Sequence, residues 1–196
     1  MEWRLLQCHI EDYLPLFVFL AATGTRFGEA AALYARDFSV SSEGHTLIAI
    51  TCAWTRDEQN RPVMGPPKTS KSKRAIHLET GIAQGFSQLL LESAQTGRHL
   101  FASASGGPID HRRAWEVWNR AVKAARLSGL TKQPRIHDLR HLNASWLLQA
   151  GLDIYKLQIH LGHESITTTL DRYSHLLPEG TVERARFRRS RCRAWM

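Results

Sequence analysis

The segment RIHDLRH, at residues 135–141, brings together a histidine and an arginine that could bind a phosphate. His137 and Arg140 are three residues apart at an expected helix start, and side chains with this spacing share one face of a helix. A guanidinium presents a planar fork of donors to two oxygens, and an imidazole adds a donor or carries a proton. The pattern indicates a phosphate-binding face, but an ordinary helix terminus with solvated polar groups is also compatible with it.

A second segment carries a tyrosine that could act as a nucleophile. Gly162 is expected to end one helix and to present His163 at a turn, and Tyr173 follows ten residues later on the next helix. A phenol has an ordinary pKa of about 10, so it attacks only when cations or a base activate it. A histidine and a tyrosine at this spacing mean little unless other segments supply those cations.

Arg26 is a candidate for such a cation. It lies in the segment ATGTRFGE, at residues 22–29, where an expected junction of two helices would direct backbone N–H groups and a guanidinium toward an anion. The carboxylate of Glu29 could hold the Arg26 side chain in position without contacting the anion itself. A purely structural ion pair between Arg26 and Glu29 is equally compatible with the sequence.

A basic turn, KTSKSKR at residues 68–74, lies between two expected strands. A mobile Lys68 could reach a scissile bond and deliver a proton to a leaving oxygen. Alternatively, the turn only contacts a DNA backbone, which positions DNA without chemistry. Lys71, Lys73 and Arg74 are the candidates for such DNA-binding contacts.

These residues must be positioned by a mostly helical domain with a small sheet. Apolar periodicity and capping residues predict helices over residues 10–23, 26–34, 81–94, a stretch after Asp110, 139–149, 154–161 and 165–176. Residues 46–53 and 74–78 are rich in β-branched and apolar side chains and predict strands, whereas residues 56–67 predict a loop. The fold class is therefore α+β, mostly helical, with a small antiparallel sheet of two to three strands.

Some single residues refine this prediction. Three glycines stand where helices need a left-handed residue at the C-terminus: Gly24, Gly151 and Gly162. Ser165 can cap the last helix. Trp115 and Trp118 share a face of the helix after Asp110 and are expected in the core, with an aromatic platform for nucleic acid as the alternative.

Composition narrows the class of partner. The 196 residues suit one domain, and 26 Lys and Arg against 18 Asp and Glu give a net charge of +8. This excess predicts a polyanionic partner such as nucleic acid, although a solvated basic face has the same composition. No apolar run reaches the length of a membrane span. Three distant cysteines and the lack of a secretory signal predict a reducing cytoplasm.

In combination, the four segments resemble the tyrosine recombinase family of the phage integrase type. The matching stretches are ATGTRFGE at residues 22–29, the lysine turn with Arg74 and Leu78, HDLRH at 137–141, and LGHESI at 161–166 leading to DRYSH at 171–175. They occur in the family's order over about residues 12–177. His77 where the family usually has proline, and Asn143 in place of an aromatic residue, are departures outside the proposed catalytic positions.

The resemblance implies a DNA breaking-rejoining catalytic domain with a role for each matching residue. Tyr173 would attack the scissile phosphate and form a 3′-phosphotyrosine link. Arg26 and Arg140 would brace the non-bridging oxygens, and Lys68 would be the general acid for the leaving 5′-oxygen. His137 would assist proton transfer or orientation at Tyr173.

The resemblance also implies His163 as a hydrogen-bond donor to the phosphate, with Glu29 supporting the first arginine. No metal and no other cofactor, including ATP, is expected. The expected partners are double-stranded DNA at an attachment or recombination site and a homo-tetramer formed on that DNA, without a membrane, in a bacterial cytoplasm. The expected domains are a catalytic domain at residues 1–177 and a basic C-terminal tail at 178–196, with the family's N-terminal core-binding domain absent from this chain.

Three alternatives stay open. The chain could be a catalytically impaired DNA-binding remnant, or it could relax DNA as a type IB topoisomerase does. Metal-dependent hydrolysis is the third, because His137 and His141 stand four residues apart, a spacing used for zinc. However, that zinc motif requires a glutamate after its first histidine, and Arg140 would place a cation beside the metal.

Overall fold

The computed structural model describes residues 2–10, 12–67, 72–103 and 105–176. In this part of the chain the α-helices are α1 (Glu2–Gln7), α2 (Leu14–Thr23), α3 (Phe27–Ala31), α4 (Thr80–Gln84), α5 (Ser87–Thr96), α6 (His111–Leu127), α7 (Asp138–Gln149), α8 (Ile154–Leu161) and α9 (Ile166–Tyr173). The strands are β1 (Phe38–Val40), β2 (Thr46–Ile50), β3 (Ala53–Arg56), β4 (Pro62–Gly65) and β5 (Arg74–Leu78). Short 3-10 helices occupy Ala35–Asp37 and Ser174–Leu176. The predicted α+β, mostly helical fold is confirmed.

A three-stranded antiparallel sheet with the order β1-β2-β5 forms one wall of the core. Strands β2 and β5 pair from Thr46 opposite Leu78 to Ile50 opposite Arg74. Ile48 and Ile50 are fully buried and the residue between them is exposed, because alternate side chains of a strand point to opposite faces. This register places Arg74 at the first position of β5, close to the helical half of the molecule.

Strands β3 and β4 form a separate hairpin. The Asp57 carboxylate accepts hydrogen bonds from the backbone N–H groups of Gln59 and Arg61, and Asn60 takes a left-handed φ of 60°. The stretch at residues 46–53, predicted as a single strand, is therefore divided between β2 and β3. The prediction of a loop at residues 56–67 is wrong for the residues that form β4. The side chains of β4 are mostly exposed, so no buried face imposes the alternation by which a strand is recognised.

The helices follow their capping residues closely. Gly24 and Gly162 end α2 and α8 with φ values of 64° and 65°, and Ser165 accepts a hydrogen bond from the Thr167 backbone, all as predicted. Helix α7 ends at Gln149 with Ala150 as its C-cap, and the left-handed Gly151 follows directly after that cap.

Three sequence-based expectations for the helices are wrong. Helix α2 begins at Leu14, because Tyr13 is left-handed and a proline follows in the first turn. The predicted helix at residues 81–94 is two helices, α4 and α5. On α6, Trp118 is buried and 1% exposed, whereas Trp115 lies at the edge of the buried face and is 53% exposed.

The apolar core has two parts. The larger part joins α2, the three-stranded sheet and α6, and the smaller part joins α7, α8 and α9 around Leu157, Leu161 and Tyr173. Helices α2 and α7 connect the two, where the Asn143 amide donates to the backbone carbonyls of Ala21 and Ala22. In the described part of the chain, no helix has the length and apolar character needed to cross a membrane.

The close contact of α2 with α7 predicts a strong effect of Gly24→Ala. A Cβ at Gly24 would lie 2.6 Å from Asn143 Oδ1, and the residue would also have to keep a left-handed φ. Gly97→Ala is the matched control, because Gly97 has a φ of 67° and open space around it. We expect Gly97→Ala to cost about 1 kcal/mol of unfolding free energy in urea, and Gly24→Ala at least about 1 kcal/mol more. Equal losses would show that the contact with Asn143 adds nothing.

Candidate active site

Arg140 lies at the centre of the site, buried between two helix ends. It projects from α7 and donates hydrogen bonds to the backbone carbonyl of Gly24, at 2.6 Å, and to that of Leu161. These carbonyls belong to the C-termini of α2 and α8, where the last turn lacks intrahelical N–H partners and carries partial negative charge. The guanidinium is therefore fixed by two helices that are distant in sequence.

Arg26 is held beside Arg140 by a different set of contacts. Its Nη1 lies 2.8 Å from Glu29 Oε1, and its Nη2 donates to the Gly162 carbonyl at 3.4 Å. The Glu29 carboxylate also accepts a hydrogen bond from the Arg26 backbone N–H at the start of α3. The Arg26 side chain remains 41% exposed, so part of it is accessible to solvent.

Arg74 completes this network from the sheet. Its Nη2 binds Glu29 Oε2 at 2.9 Å, and its Nε donates to the His160 carbonyl at 2.6 Å. The Arg74 side chain is only 3% exposed. The expected DNA contact by Arg74 is therefore corrected, because its guanidinium is turned inward against Glu29 and is not presented to a DNA backbone.

The network contains more positive than negative charge. Three guanidinium groups, of Arg26, Arg74 and Arg140, surround the single carboxylate of Glu29. Burial and then the charge of Arg26 lower the pKa of Arg140 to about 9. Burial alone would raise the pKa of Glu29, but Arg74 and Arg26 together lower it below its ordinary value. Such an unbalanced cluster of cations is stabilised by an anion.

Two predicted histidines lie in the field of these arginines. Burial, followed by the charges of Arg140 and Arg26, lowers the pKa of His163 to about 3. The Nδ1 atom of His163 is 2.9 Å from Thr169 Oγ1, which holds the ring in place. Burial, His141 and Arg140 lower the pKa of His137 to about 4. Both rings are neutral near pH 7 and can donate or accept a hydrogen bond.

Tyr173 is the last residue of α9 and is 3% exposed. Burial raises its pKa, while the charges of Arg140 and Arg172 act in the opposite direction. Its Oη atom lies 2.7 Å from Nδ1 of His141, and Arg172 Nη1 lies 3.4 Å from the other nitrogen of that ring. Both nitrogens of His141 are thus engaged, which argues against its use as a zinc ligand with His137.

Sequence reasoning missed His141 as the partner of the tyrosine. It gave proton transfer or orientation at Tyr173 to His137, whose ring stands edge-on to that of His141, with centroids 5.2 Å apart. The signal that could have identified His141 is its spacing of four residues from His137, because residues with this spacing lie on one face of α7.

Sequence reasoning also missed a buried support behind the site. His160 Nε2 lies 3.1 Å from Asn143 Oδ1, and burial and Arg74 lower the pKa of His160 to about 4. Nothing in the local sequence distinguishes His160 from an ordinary residue of a helix, because its partners come from other elements.

The remaining predicted residues are located as follows. Lys73 is exposed just before β5, so its expected DNA contact stays a prediction. Lys68 and Lys71 lie outside the described residues, as does the basic tail at 178–196. The site as described therefore joins Arg26, Glu29, His137, Arg140, His163 and Tyr173.

Comparison with known proteins gives consistent matches. The model of the phage integrase family matches residues 7–179. Tyrosine recombinase XerD of Bifidobacterium longum is 32% identical over 170 residues, covering 86% of this chain and 51% of that protein. The integrase of Salmonella phage P22 is 31% identical over 165 residues, covering 76% of this chain and 40% of that protein. The chain thus spans about half the length of the curated relatives it matches.

Solved structures show the same fold. The Tn1549 transposon integrase in complex with circular intermediate DNA has a TM-score of 0.74 at 24% identity, covering 96% of this chain and 64% of that chain. The XerA recombinase has a TM-score of 0.66 at 20% identity, covering 96% and 61%.

The buried carboxylate predicts a large effect of Glu29→Gln. Loss of this charge leaves Arg74 buried without a counterion, so we expect unfolding free energy to fall by about 3 kcal/mol in urea denaturation. Glu116→Gln is the matched control, since Glu116 pairs with Arg112 on the exposed face of α6. That control should cost no more than about 0.5 kcal/mol. Similar losses in the two variants would contradict the proposed importance of Glu29.

Two partly buried histidines predict acid sensitivity. His160 and His163 have folded pKa values of about 4 and 3, against an ordinary 6.5. The unfolded chain therefore binds protons first, and stability is lost as pH falls from about 6.5 toward 4. Urea unfolding at a series of pH values should show this slope, and His160→Gln should reduce it. NMR titration of His160 with a midpoint near 6.5 would contradict the expectation.

Proposed function

We propose, since the chain belongs to the phage integrase family, that it is the catalytic part of a site-specific DNA recombinase acting through Tyr173. The observation that carries this proposal is the joint placement of Tyr173 with a surplus of buried arginine charge. A phosphodiester is the anion that fits both groups, because it offers two oxygens to guanidinium forks and one phosphorus to a nucleophile.

In the proposed reaction, Tyr173 Oη attacks the phosphorus and the bond from phosphorus to the 5′-oxygen breaks. The products are a 3′-phosphotyrosine link and a free 5′-hydroxyl group, whose proton comes from Lys68. Attack by a 5′-hydroxyl of another strand reverses the step and releases the tyrosine. The phosphotyrosine ester retains the energy of the broken bond, so neither ATP nor another cofactor is required.

Arg26 and Arg140 take the part that metal ions have in many phosphoryl-transfer enzymes. Both are held before DNA binds, by Glu29 and by backbone carbonyls, so little reorganisation is needed as charge grows on the phosphate. His163 is neutral and can donate a hydrogen bond to a non-bridging oxygen. His137 is proposed to assist at the nucleophile through its contact with His141.

The proposed partner is double-stranded DNA carrying a recombination site, in the cytoplasm, with four copies of the protein assembled on it. The net charge of +8 supports DNA as the partner, since each phosphate neutralised releases bound counterions. The placement of the nucleophile and both arginines supports an active enzyme over a remnant that only binds DNA. Relaxation of supercoiled DNA without a specific site would favour topoisomerase activity instead.

Covalent trapping tests the proposal. The full chain is incubated with EDTA and a library of nicked random-sequence duplexes, from which cleavage releases a short strand and prevents rejoining. We expect a protein–DNA adduct that survives denaturation for the wild type and for the control Tyr34→Phe, and none for Tyr173→Phe. An adduct that persists in Tyr173→Phe, or a wild type that binds this DNA and forms no adduct, would contradict the assignment.

A further inference from the structure

His141 stands between the proposed nucleophile and an arginine. Its Nδ1 atom is 2.7 Å from Tyr173 Oη, and its Nε2 atom is 3.4 Å from Arg172 Nη1. It follows Arg140 on α7, whereas Arg172 and Tyr173 are adjacent on α9. The imidazole therefore bridges two helices at the atom that is proposed to attack the phosphate.

The Arg172 contact determines which nitrogen of His141 carries the proton. A guanidinium has only N–H donors and no acceptor, so the nitrogen facing it must present a lone pair. A neutral imidazole has one N–H group, which must then be on Nδ1. That N–H points at Tyr173, whose oxygen accepts the hydrogen bond.

We infer that His141 donates a hydrogen bond from Nδ1 to Tyr173 Oη, and that Arg172 fixes the tautomer that allows this. The inference rests on the proposed function of Tyr173 as the nucleophile. His141 then stabilises the negative charge that forms on the phenolic oxygen during attack, and it also fixes the position of that oxygen. The phenolic proton leaves to a phosphate oxygen or to water, and His141 does not accept it.

The surroundings of the ring agree with this assignment. Burial lowers the pKa of His141, and the charges of Arg172, Arg140 and Arg135 act in the same direction, against the single opposing charge of Asp138. The neutral form is therefore favoured near pH 7. If His141 were instead a general base, its Nε2–H would face the N–H groups of Arg172, and two donors would meet at 3.4 Å. Burial also raises the pKa of Tyr173, so a donor at its oxygen is needed to favour the phenolate.

The first test reads the tautomer in the free protein. The full chain is labelled with ¹⁵N-histidine, and the His141 signals are identified by their loss in His141→Asn. We expect a protonated Nδ1 and an unprotonated Nε2 near pH 7, and a shift toward the Nε2–H form in Arg172→Met. A protonated Nε2 in the wild type would overturn the inference, whatever the activity of the protein.

The second test separates a donor from an acceptor at the same position. Asn places an N–H group where Nδ1 lies, whereas an ionised Asp places only an acceptor there. In the covalent trapping assay we expect His141→Asp to lower the rate of adduct formation on the order of 100-fold, and His141→Asn to retain most of it. His77→Asn and His77→Asp, at an exposed histidine of β5, are the controls and should match the wild type.

If His141→Asp forms the adduct faster than His141→Asn, His141 is a proton acceptor and the inference is wrong. If both variants form the adduct at the rate of the wild type, His141 takes no part in the reaction. If the wild type forms no adduct on DNA it binds, the proposed function fails. The tautomer measurement still decides the hydrogen bond to Tyr173 in that case.

Discussion

The other features of the site depend on the hydrogen bonds by which the ends of α2 and α8 hold Arg140, here called the clasp. A buried guanidinium is costly unless its N–H groups are satisfied, and here the carbonyls of Gly24 and Leu161 satisfy two of them. Those carbonyls are available because α2 and α8 each end in a left-handed glycine, which stops the helix and turns the chain away. The same geometry brings Gly24 into contact with Asn143, so the clasp also joins the two parts of the core.

The arginines around this clasp keep the free protein in an electrostatically unbalanced state. Glu29 neutralises part of the charge of Arg26 and Arg74, but one carboxylate serves three guanidinium groups, and burial together with the charges of Arg26 and Arg74 lowers the pKa of Arg140. The neighbouring His163 remains neutral, since burial and the charges of Arg140 and Arg26 all disfavour its protonated form. A bound phosphate would offset this surplus positive charge. Because the guanidinium groups repel one another in the folded protein, their arrangement favours the binding of an anion.

The elements that end in recognisable caps could be predicted from the sequence, because Gly24, Gly162 and Ser165 act through local backbone geometry. The four segments that carry the family resemblance could be recognised for the same reason, since each is short and continuous. Features that depend on distant packing could not. Arg74 turns inward because Glu29 lies across the sheet–helix boundary, and the 53% exposure of Trp115 is set by tertiary packing around α6 and not by the spacing of its apolar residues. The contact of His141 with Tyr173 joins residues 32 apart in the sequence, and neither segment alone predicts it.

The cluster of arginines and Tyr173 are held by different sets of contacts. The arginines are held by α2, α3, the sheet and the end of α8, whereas Tyr173 is held by α9 and by His141 on α7. Arg140 connects the two sets, because it lies next to His141 on α7 and its charge lowers the pKa of Tyr173 against the effect of burial. A perturbation of Glu29 should therefore reach the tyrosine mainly through the clasp. A change at His141 acts on the phenolic oxygen directly and leaves the hydrogen bonds of Arg140 to Gly24 and Leu161 in place.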